Sequence, residues 1–124
     1  MLQQTDFFQV KELTKEENKF SAQISLNKEH EIFQGHFPGQ PVTPGVCMLD
    51  IIKELCEQEY QKEVAVSAIK TIKFLSILDP QLQSEVVADV TVLKQENDTM
   101  EVKAELKDQE KAYFKFRGTF TDFE

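Results

Sequence analysis

The chain has 124 residues, 40% of them hydrophobic, and its 22 acidic and 14 basic side chains give a net charge of −8. This length predicts one domain, spanning residues 1–124, with a core of its own. The negative charge argues against binding to nucleic acid or to an anionic membrane. No apolar run approaches the roughly 20 residues of a membrane span, and no secretory signal is visible, so we expect a cytoplasmic protein.

The first predicted elements are two strands that form a hairpin. Phe8 and Val10 begin an alternation of apolar and polar residues, which resumes from Phe20 to Leu26. Alternation with a period of two is typical of half-buried antiparallel strands. The polar, turn-like residues 14–18 predict the connection between them.

Residues 35–50 contain three of the four glycines, three of the four prolines and one of the two histidines, His36. Proline fixes φ and removes an amide donor, whereas glycine permits positive φ or a close approach to the backbone. The prolines reduce the entropy that the segment loses when it takes a defined shape. A histidine fixed within such a segment is a candidate for a functional role.

The other histidine, His30, lies in a polar, loop-like setting, and we expect it to have a simple surface role. The two histidines lie six residues apart, with no accompanying pattern of Cys or Asp ligands. This spacing does not predict a metal site.

A long helix is predicted from Gly45, because the apolar residues that follow have helical spacing. They are Val46, Leu49, Ile52, Leu55, Cys56 and Tyr60. Thr43 or Gly45 is expected near the N-cap, with Pro44 close to the first turn. Free N–H groups and the positive end of the helix dipole suit a carbonyl oxygen or an oxyanion. Asp50 adds a carboxylate in the second turn, so the segment supplies the parts of an acid–base site.

Four further alternating segments complete the predicted fold. They span Val64–Phe74, Val86–Val92, Met100–Leu106 and Ala112–Phe120. Short polar links at residues 95–99 and 107–111 predict hairpins, and the phenylalanine-rich last segment is expected to lie mainly in the core. The sequence therefore predicts an α+β fold, in which a curved antiparallel sheet of about six strands wraps one long central helix.

The run His36-Phe37-Pro38-Gly39-x-Pro-x-x-Pro-Gly45-Val46, followed by an apolar helix, resembles a known family signature. It is that of the β-hydroxyacyl-acyl-carrier-protein dehydratases of type II fatty-acid synthesis. The resemblance implies a single hotdog domain over residues 1–124 and a homodimer or a dimer-based oligomer. It also implies acyl carrier protein, bearing a phosphopantetheine-linked acyl chain, as the partner, with no cofactor and no metal.

The same resemblance assigns roles to individual residues. His36 matches the catalytic histidine, and Asp50, where most members of the broader branch have Glu, matches the catalytic acid. The backbone N–H of Gly45 would bind the thioester carbonyl, with Phe37 and Val46 as further substrate-binding residues. The implied reaction dehydrates a (3R)-hydroxyacyl thioester to the trans-2-enoyl thioester. In the family, the histidine and the acid meet across a dimer interface.

Two other functions are compatible with the same residues. A hotdog thioesterase would use the carboxylate of Asp50 to activate water at C1. A non-catalytic acyl-binding subunit would retain the fold, with the short Asp50 leaving a damaged site. At the level of single residues, His36 could instead be a structural histidine, and Asp50 could pair with Lys53 as a weak surface ion pair.

Cys47 and Cys56 lie nine residues apart on the predicted helix, roughly 13 Å along its axis. A disulfide needs Cα atoms within about 7 Å. We therefore predict two free, buried thiols that pack in the core, and we do not expect Cys47 to be a nucleophile.

An acidic carrier protein would need a local basic surface on this acidic chain. Lys111, Lys115 and Arg117 share one parity in the last strand, and Lys70 and Lys73 are expected nearby. This cluster is a candidate docking surface, and an ordinary solvated strand face is the alternative interpretation.

Overall fold

The computed structural model describes residues 6–35 and 41–122. The elements in chain order are β1 (Phe8–Glu16), β2 (Lys19–Leu26), α1 (Ile32–Gly35), α2 (Gly45–Tyr60), β3 (Val64–Phe74), β4 (Glu85–Glu96), β5 (Thr99–Lys107) and β6 (Ala112–Asp122). The six predicted strands and the long helix are all present. The one-turn helix α1 is an addition that the sequence pattern does not predict.

The strands form one sheet in the order β1-β2-β4-β5-β6-β3, and every neighbouring pair is antiparallel. The predicted hairpins β1–β2, β4–β5 and β5–β6 are confirmed. In the β4–β5 turn, Asn97 has a φ of 49°, a left-handed conformation that asparagine tolerates. Because β3 follows α2 and pairs only with β6, it lies at one edge of the sheet and β1 lies at the other.

The core lies between the inner face of the sheet and the buried side of α2. The predicted alternation is confirmed in β2, β4 and β5, whose even-numbered residues are buried from Phe20 to Leu26, Val86 to Val92 and Met100 to Leu106. Phe114, Phe116 and Phe120 of β6 are also buried, as expected for a core strand. One continuous apolar cluster includes these residues and those of α2, so the helix and the sheet stabilise each other.

The edge strand β3 departs from its predicted pattern. Its pairing with β6 shifts register between Val66 and Ala68, and again between Ile69 and Thr71. Each irregularity changes which side chains face the core. Ala68, which the even-numbered pattern places inside, pairs with Thr119 and is consequently exposed. The second shift restores the pattern, so Phe74 pairs with Phe114 on the core side and is exposed because it ends the strand.

Candidate active site

The start of α2 provides a pair of free backbone donors. Pro44 is the N-cap residue, with extended backbone angles (φ −63°, ψ 145°), and no side chain in the described part of the chain caps the helix. Cys47 and Met48 donate their N–H groups to the carbonyl of Pro44. The N–H groups of Gly45 and Val46 have no backbone acceptor among the described residues. They therefore leave the positive end of the helix open to a ligand oxygen.

The ring of Phe74 lies against this helix start and explains the glycine at position 45. A Cβ placed on Gly45 would lie 2.5 Å from Cε1 and 2.7 Å from Cζ of Phe74. The ring can keep this position only beside a residue without a side chain, and any Cβ would oblige it to turn away. Phe74 itself is 57% exposed, so its ring forms an apolar surface beside the free donors.

Asp50 lies five residues after Gly45, at the margin of the buried side of α2. Its side chain is 35% exposed, and its Oδ1 is 3.8 Å from Nζ of Lys53. The same Nζ is 3.4 Å from Oε2 of Glu57, which also accepts a hydrogen bond of 2.9 Å from the N–H of Val64. Because Lys53 is shared and its contact with Asp50 is long, this ion pair adds little and leaves the carboxylate accessible.

The free thiols predicted for Cys47 and Cys56 are confirmed, and both are buried. Burial, with smaller contributions from the carboxylates of Asp50 and Glu54, raises the pKa of Cys47 to about 11. Burial likewise raises the pKa of Cys56 to about 12. Both thiols are protonated at neutral pH, which supports packing roles and argues against Cys47 as a nucleophile.

Two polar residues are buried beside these groups, Glu54, which the sequence analysis did not single out, and Thr43. Glu54 is only 4% exposed and lies one turn after Asp50, close enough for its carboxylate to affect Cys47. Thr43 donates its N–H to the carbonyl of Leu78, and its buried Oγ1 has no hydrogen-bond partner among the described residues. The signal available for Glu54 was its spacing of four residues from Asp50, which places both on one helical face.

The predicted site residues fall into two groups. Gly45, Val46 and Asp50 lie together along the first two turns of α2, and Val46 is 74% exposed. His36 and Phe37 lie outside the described residues, so their assigned roles stay predictions. The N-cap expectation is also refined, because Pro44 takes that position and Thr43 precedes it.

His30 has a more structural role than the surface position expected from the sequence. Its Nδ1 accepts a hydrogen bond of 3.1 Å from the N–H of Ile32, at the start of α1. Its ring also meets Phe7 edge-on, with the ring centroids 5.4 Å apart. His30 therefore fixes the turn that leads towards the glycine- and proline-rich segment.

Within residues 6–35 and 41–122, no three His, Cys, Asp or Glu side chains are grouped so that they could hold a metal ion. In the same part of the chain, no helix combines the length and the apolar character needed to cross a membrane.

Comparison with known proteins gives a family and several relatives. A family model named ApeI-like and described as ApeI dehydratase matches residues 12–119. A 3-hydroxyacyl-[acyl-carrier-protein] dehydratase FabZ from Lactobacillus helveticus is 33% identical over 104 residues, which cover 78% of this chain and 68% of that protein. A FabZ from Levilactobacillus brevis is 38% identical over 64 residues, covering 46% of this chain and 42% of that protein.

Solved structures with the same fold carry more than one name. One is the dehydratase heterocomplex ApeI:P from Xenorhabdus doucetiae, with a TM-score of 0.71, 19% identity, and coverage of 90% of this chain and 96% of that chain. Another is the putative thioesterase yhdA from Lactococcus lactis, with a TM-score of 0.70, 15% identity, and coverage of 98% and 95%. At these identities the likeness establishes the hotdog fold, and the reaction has to be argued from the site.

Proposed function

Because the chain belongs to the ApeI-like dehydratase family of hotdog proteins, we propose that it dehydrates a (3R)-hydroxyacyl thioester carried on acyl carrier protein to the trans-2-enoyl thioester. Such a reaction belongs to fatty-acid or related acyl-chain biosynthesis. The observation that carries the proposal is the geometry of α2. Its uncapped N-terminus presents the N–H groups of Gly45 and Val46, and the accessible carboxylate of Asp50 follows on the same helix.

The spacing of these groups suits a 3-hydroxyacyl thioester. Five residues of helix separate Gly45 from Asp50, a rise of about 7.5 Å. A thioester carbonyl bound at the helix start would direct its C3 hydroxyl along the helix towards Asp50. The donors at Gly45 and Val46 would stabilise the negative charge that develops on the carbonyl oxygen when the α-proton leaves.

In the proposed step, neutral His36 takes the proton from C2, and the electrons of the C2–H bond form the C2=C3 double bond. The C3–O bond breaks, and the hydroxyl leaves as water with a proton from Asp50, directly or through a bound water. A histidine with a pKa near its ordinary value of about 6.5 is largely neutral at pH 7 and can act as this base. No step requires a cofactor.

The edge strand β3 supports a dimeric assembly with shared sites. Its outer edge has no strand partner among the described residues, and four apolar side chains are exposed along and after it: Ile69, Phe74, Leu75 and Ile77. This apolar strip continues to the exposed Val46 at the helix start. An apolar edge of this kind is suited to a second copy of the chain. Each proposed site would then combine His36 of one protomer with Asp50 of the partner subunit.

The proposal is tested with 3-hydroxyacyl thioesters, by following the enoyl product by absorbance and mass spectrometry. The wild type is expected to form enoyl product, and His36→Ala and Asp50→Asn are expected to lose at least about a hundredfold in kcat. Asp98→Asn is the matched control, because Asp98 is an exposed turn residue whose side chain makes no described ion pair.

Other outcomes distinguish the remaining functions. Release of free thiol with the 3-hydroxyacid intact would identify a thioesterase. Tight binding of the thioester without turnover would identify an acyl-binding subunit. Recovery of activity on mixing the two inactive variants would support shared sites, and failure to recover after demonstrated subunit exchange would refute them.

A further inference from the structure

The outer face of the sheet carries a groove that is distinct from the site at the start of α2. Its volume is about 530 Å³, and it crosses β2, β4, β5, β6 and β3 on the side away from the core. Five cationic side chains and two carboxylates line the groove. The cations are Lys19, Lys73, Lys103, Lys115 and Arg117. The whole chain has 22 acidic and 14 basic residues, so the groove reverses the charge balance of the protein.

One lysine beside the groove, Lys107, pairs with both of its carboxylates and offsets part of their charge. Asp89 accepts a hydrogen bond from the hydroxyl of Ser21 and lies 2.7 Å from Nζ of Lys107. Glu105 lies 3.7 Å from the same Nζ. Although burial alone would raise the pKa of Asp89, its hydrogen bonds to Lys107 and Ser21 lower it. Both carboxylates thus form ion pairs with Lys107, which is not part of the groove lining.

Three of the five cations form no ion pair within the described residues, although Lys115 has Glu105 as its cross-strand partner on β5. Lys19 pairs with Glu16 at 3.6 Å, and Arg117 pairs with Glu101 at 3.2 Å. Lys73, Lys103 and Lys115, in contrast, make no ion pair with any residue that the structure describes. The positive charge of the groove is therefore available to an external anionic group.

The strand register places like charges directly opposite each other. Lys73 is the cross-strand partner of Lys115, and Lys103 is the partner of Arg117. Like charges at directly opposed positions destabilise a sheet. The two carboxylates of the groove, Asp89 and Glu105, are also opposed, but Lys107 pairs with both of them. The two cationic pairs have no such shared counter-charge, which indicates that the surface suits an anionic partner.

The groove also lies close to the proposed site. Lys73 immediately precedes Phe74, whose ring covers the helix start at Gly45. Adjacent strand residues project to opposite faces, so one strand backbone separates the two surfaces. A partner bound over Lys73 and Lys115 would therefore sit at the end of β3, from which a flexible acyl-bearing arm can reach the start of α2.

From these observations we propose that the outer groove docks an acidic face of the carrier protein that delivers the substrate, an inference that rests on the proposed function. The contact residues are Lys73, Lys103 and Lys115. Lys70 and Lys111, which the sequence analysis grouped with them, do not line the groove. Lys111 instead lies over the ring of Tyr113, 5.4 Å from its centroid.

The test compares two substrates that share one acyl group, one attached to carrier protein and one to N-acetylcysteamine. The groove variant is Lys73→Glu/Lys115→Glu. The matched control, Lys11→Glu/Lys28→Glu, changes the net charge equally, at exposed lysines outside the groove. We expect the groove variant to raise KM for the carrier-bound substrate about tenfold or more, with less than about a twofold change for the small thioester. The control should change neither value.

Salt provides an independent measurement, because exposed charges are screened over about 8 Å at physiological ionic strength. Raising the salt concentration should increase the wild-type KM for carrier-bound substrate. The difference in this KM between the wild type and the groove variant should therefore become smaller. An unchanged KM in the groove variant, or an equal loss on both substrates, would overturn the docking proposal. An altered oligomeric state of the groove variant would also overturn it, since the groove would then bind a second copy of this chain.

Failure of the proposed function has a different signature. In that case the wild type would convert neither substrate. Carrier binding would then be measured directly by fluorescence anisotropy with labelled carrier protein. Binding by the wild type and the control, but not by the groove variant, would support docking without dehydration, and equal binding by all three would refute it.

Discussion

The two edges of the sheet differ in how they are protected. In β1, four of nine residues are charged, and all four are exposed. Its far end is also tied to α2, because Nζ of Lys15 lies 2.8 Å from Glu59 and 5.2 Å from the ring centroid of Tyr60. In β3, only Lys70 and Lys73 are charged among eleven residues. Charged side chains discourage pairing with another strand, so β1 is closed to a partner and β3 is open.

Register irregularities do not account for this difference, because both edges have them. β1 shifts register between Val10 and Glu12, and β3 shifts twice. What distinguishes β3 is the exposed apolar strip that leads to Phe74 and the helix start. The comparison teaches that the open edge and the proposed site form one continuous surface, whereas the closed edge is remote from any proposed chemistry.

The largest effect is expected from placing a charge on the open edge. Ile69→Glu should convert the proposed dimer to monomers and lower kcat/KM by roughly a hundredfold or more, because the proposed meeting of His36 and Asp50 across the interface would be lost. Leu13→Glu is the matched control on β1, where Leu13 is 41% exposed against 51% for Ile69. Sedimentation and activity are measured on both variants. A dimeric, active Ile69→Glu protein would refute assembly through β3.

A second effect concerns the close packing of β3 against its neighbour β6. A Cβ on Gly118 would lie 2.4 Å from the carbonyl oxygen of Ala68, a backbone atom that cannot rotate away. Gly118→Ala should therefore displace β3 and lower the free energy of unfolding by about 1–3 kcal/mol. Gly35→Ala is the control, because no atom of the described residues lies within 4 Å of its Cβ position. Denaturant unfolding that shows equal stability for both variants would contradict this account.

The smallest effect on stability is expected where β3 meets the helix. In Gly45→Ala the added methyl group meets only the tip of the exposed Phe74 ring, which can turn outward. The free energy of unfolding should change by less than about 1 kcal/mol. In contrast, kcat/KM should fall about tenfold, because the methyl and the displaced ring obstruct the free N–H groups. Gly45→Ala/Phe74→Ala should recover part of that loss, and no recovery would show that the ring is not the obstacle.

The sequence was sufficient for the regular parts of the fold. In β2, β4 and β5 an unbroken alternation determines which side chains face the core, so a period of two predicts burial residue by residue. The helical spacing after Gly45 similarly predicted α2 and the buried positions of Ile52, Leu55 and Cys56, whereas Val46, which belongs to the same pattern, is exposed. In these segments the pattern of the sequence and the final packing obey the same constraint.

Elsewhere the outcome depended on contacts between distant residues. The register shifts of β3 arise from its pairing with β6, so the exposure of Ala68 has no local sequence signal. Tyr113 departs from the alternation of β6, because its ring is buried and its hydroxyl donates a hydrogen bond to the carboxylate of Asp108. The burial of Glu54 beside Asp50 also depends on tertiary packing, so the spacing of these two residues alone did not reveal it. The meeting of His36 and Asp50 stays a prediction.

The buried thiol of Cys47 has a consequence for inhibitor chemistry. This thiol lies one turn before Asp50, at a position where an electrophilic inhibitor directed at the start of α2 would meet it. Since burial holds its pKa near 11, almost none of it is thiolate at physiological pH, and the thiolate is the form that attacks electrophiles. Cysteine-directed compounds should label this helix slowly, so a selective inhibitor would have to gain its affinity from reversible contacts with the helix donors and the ring of Phe74.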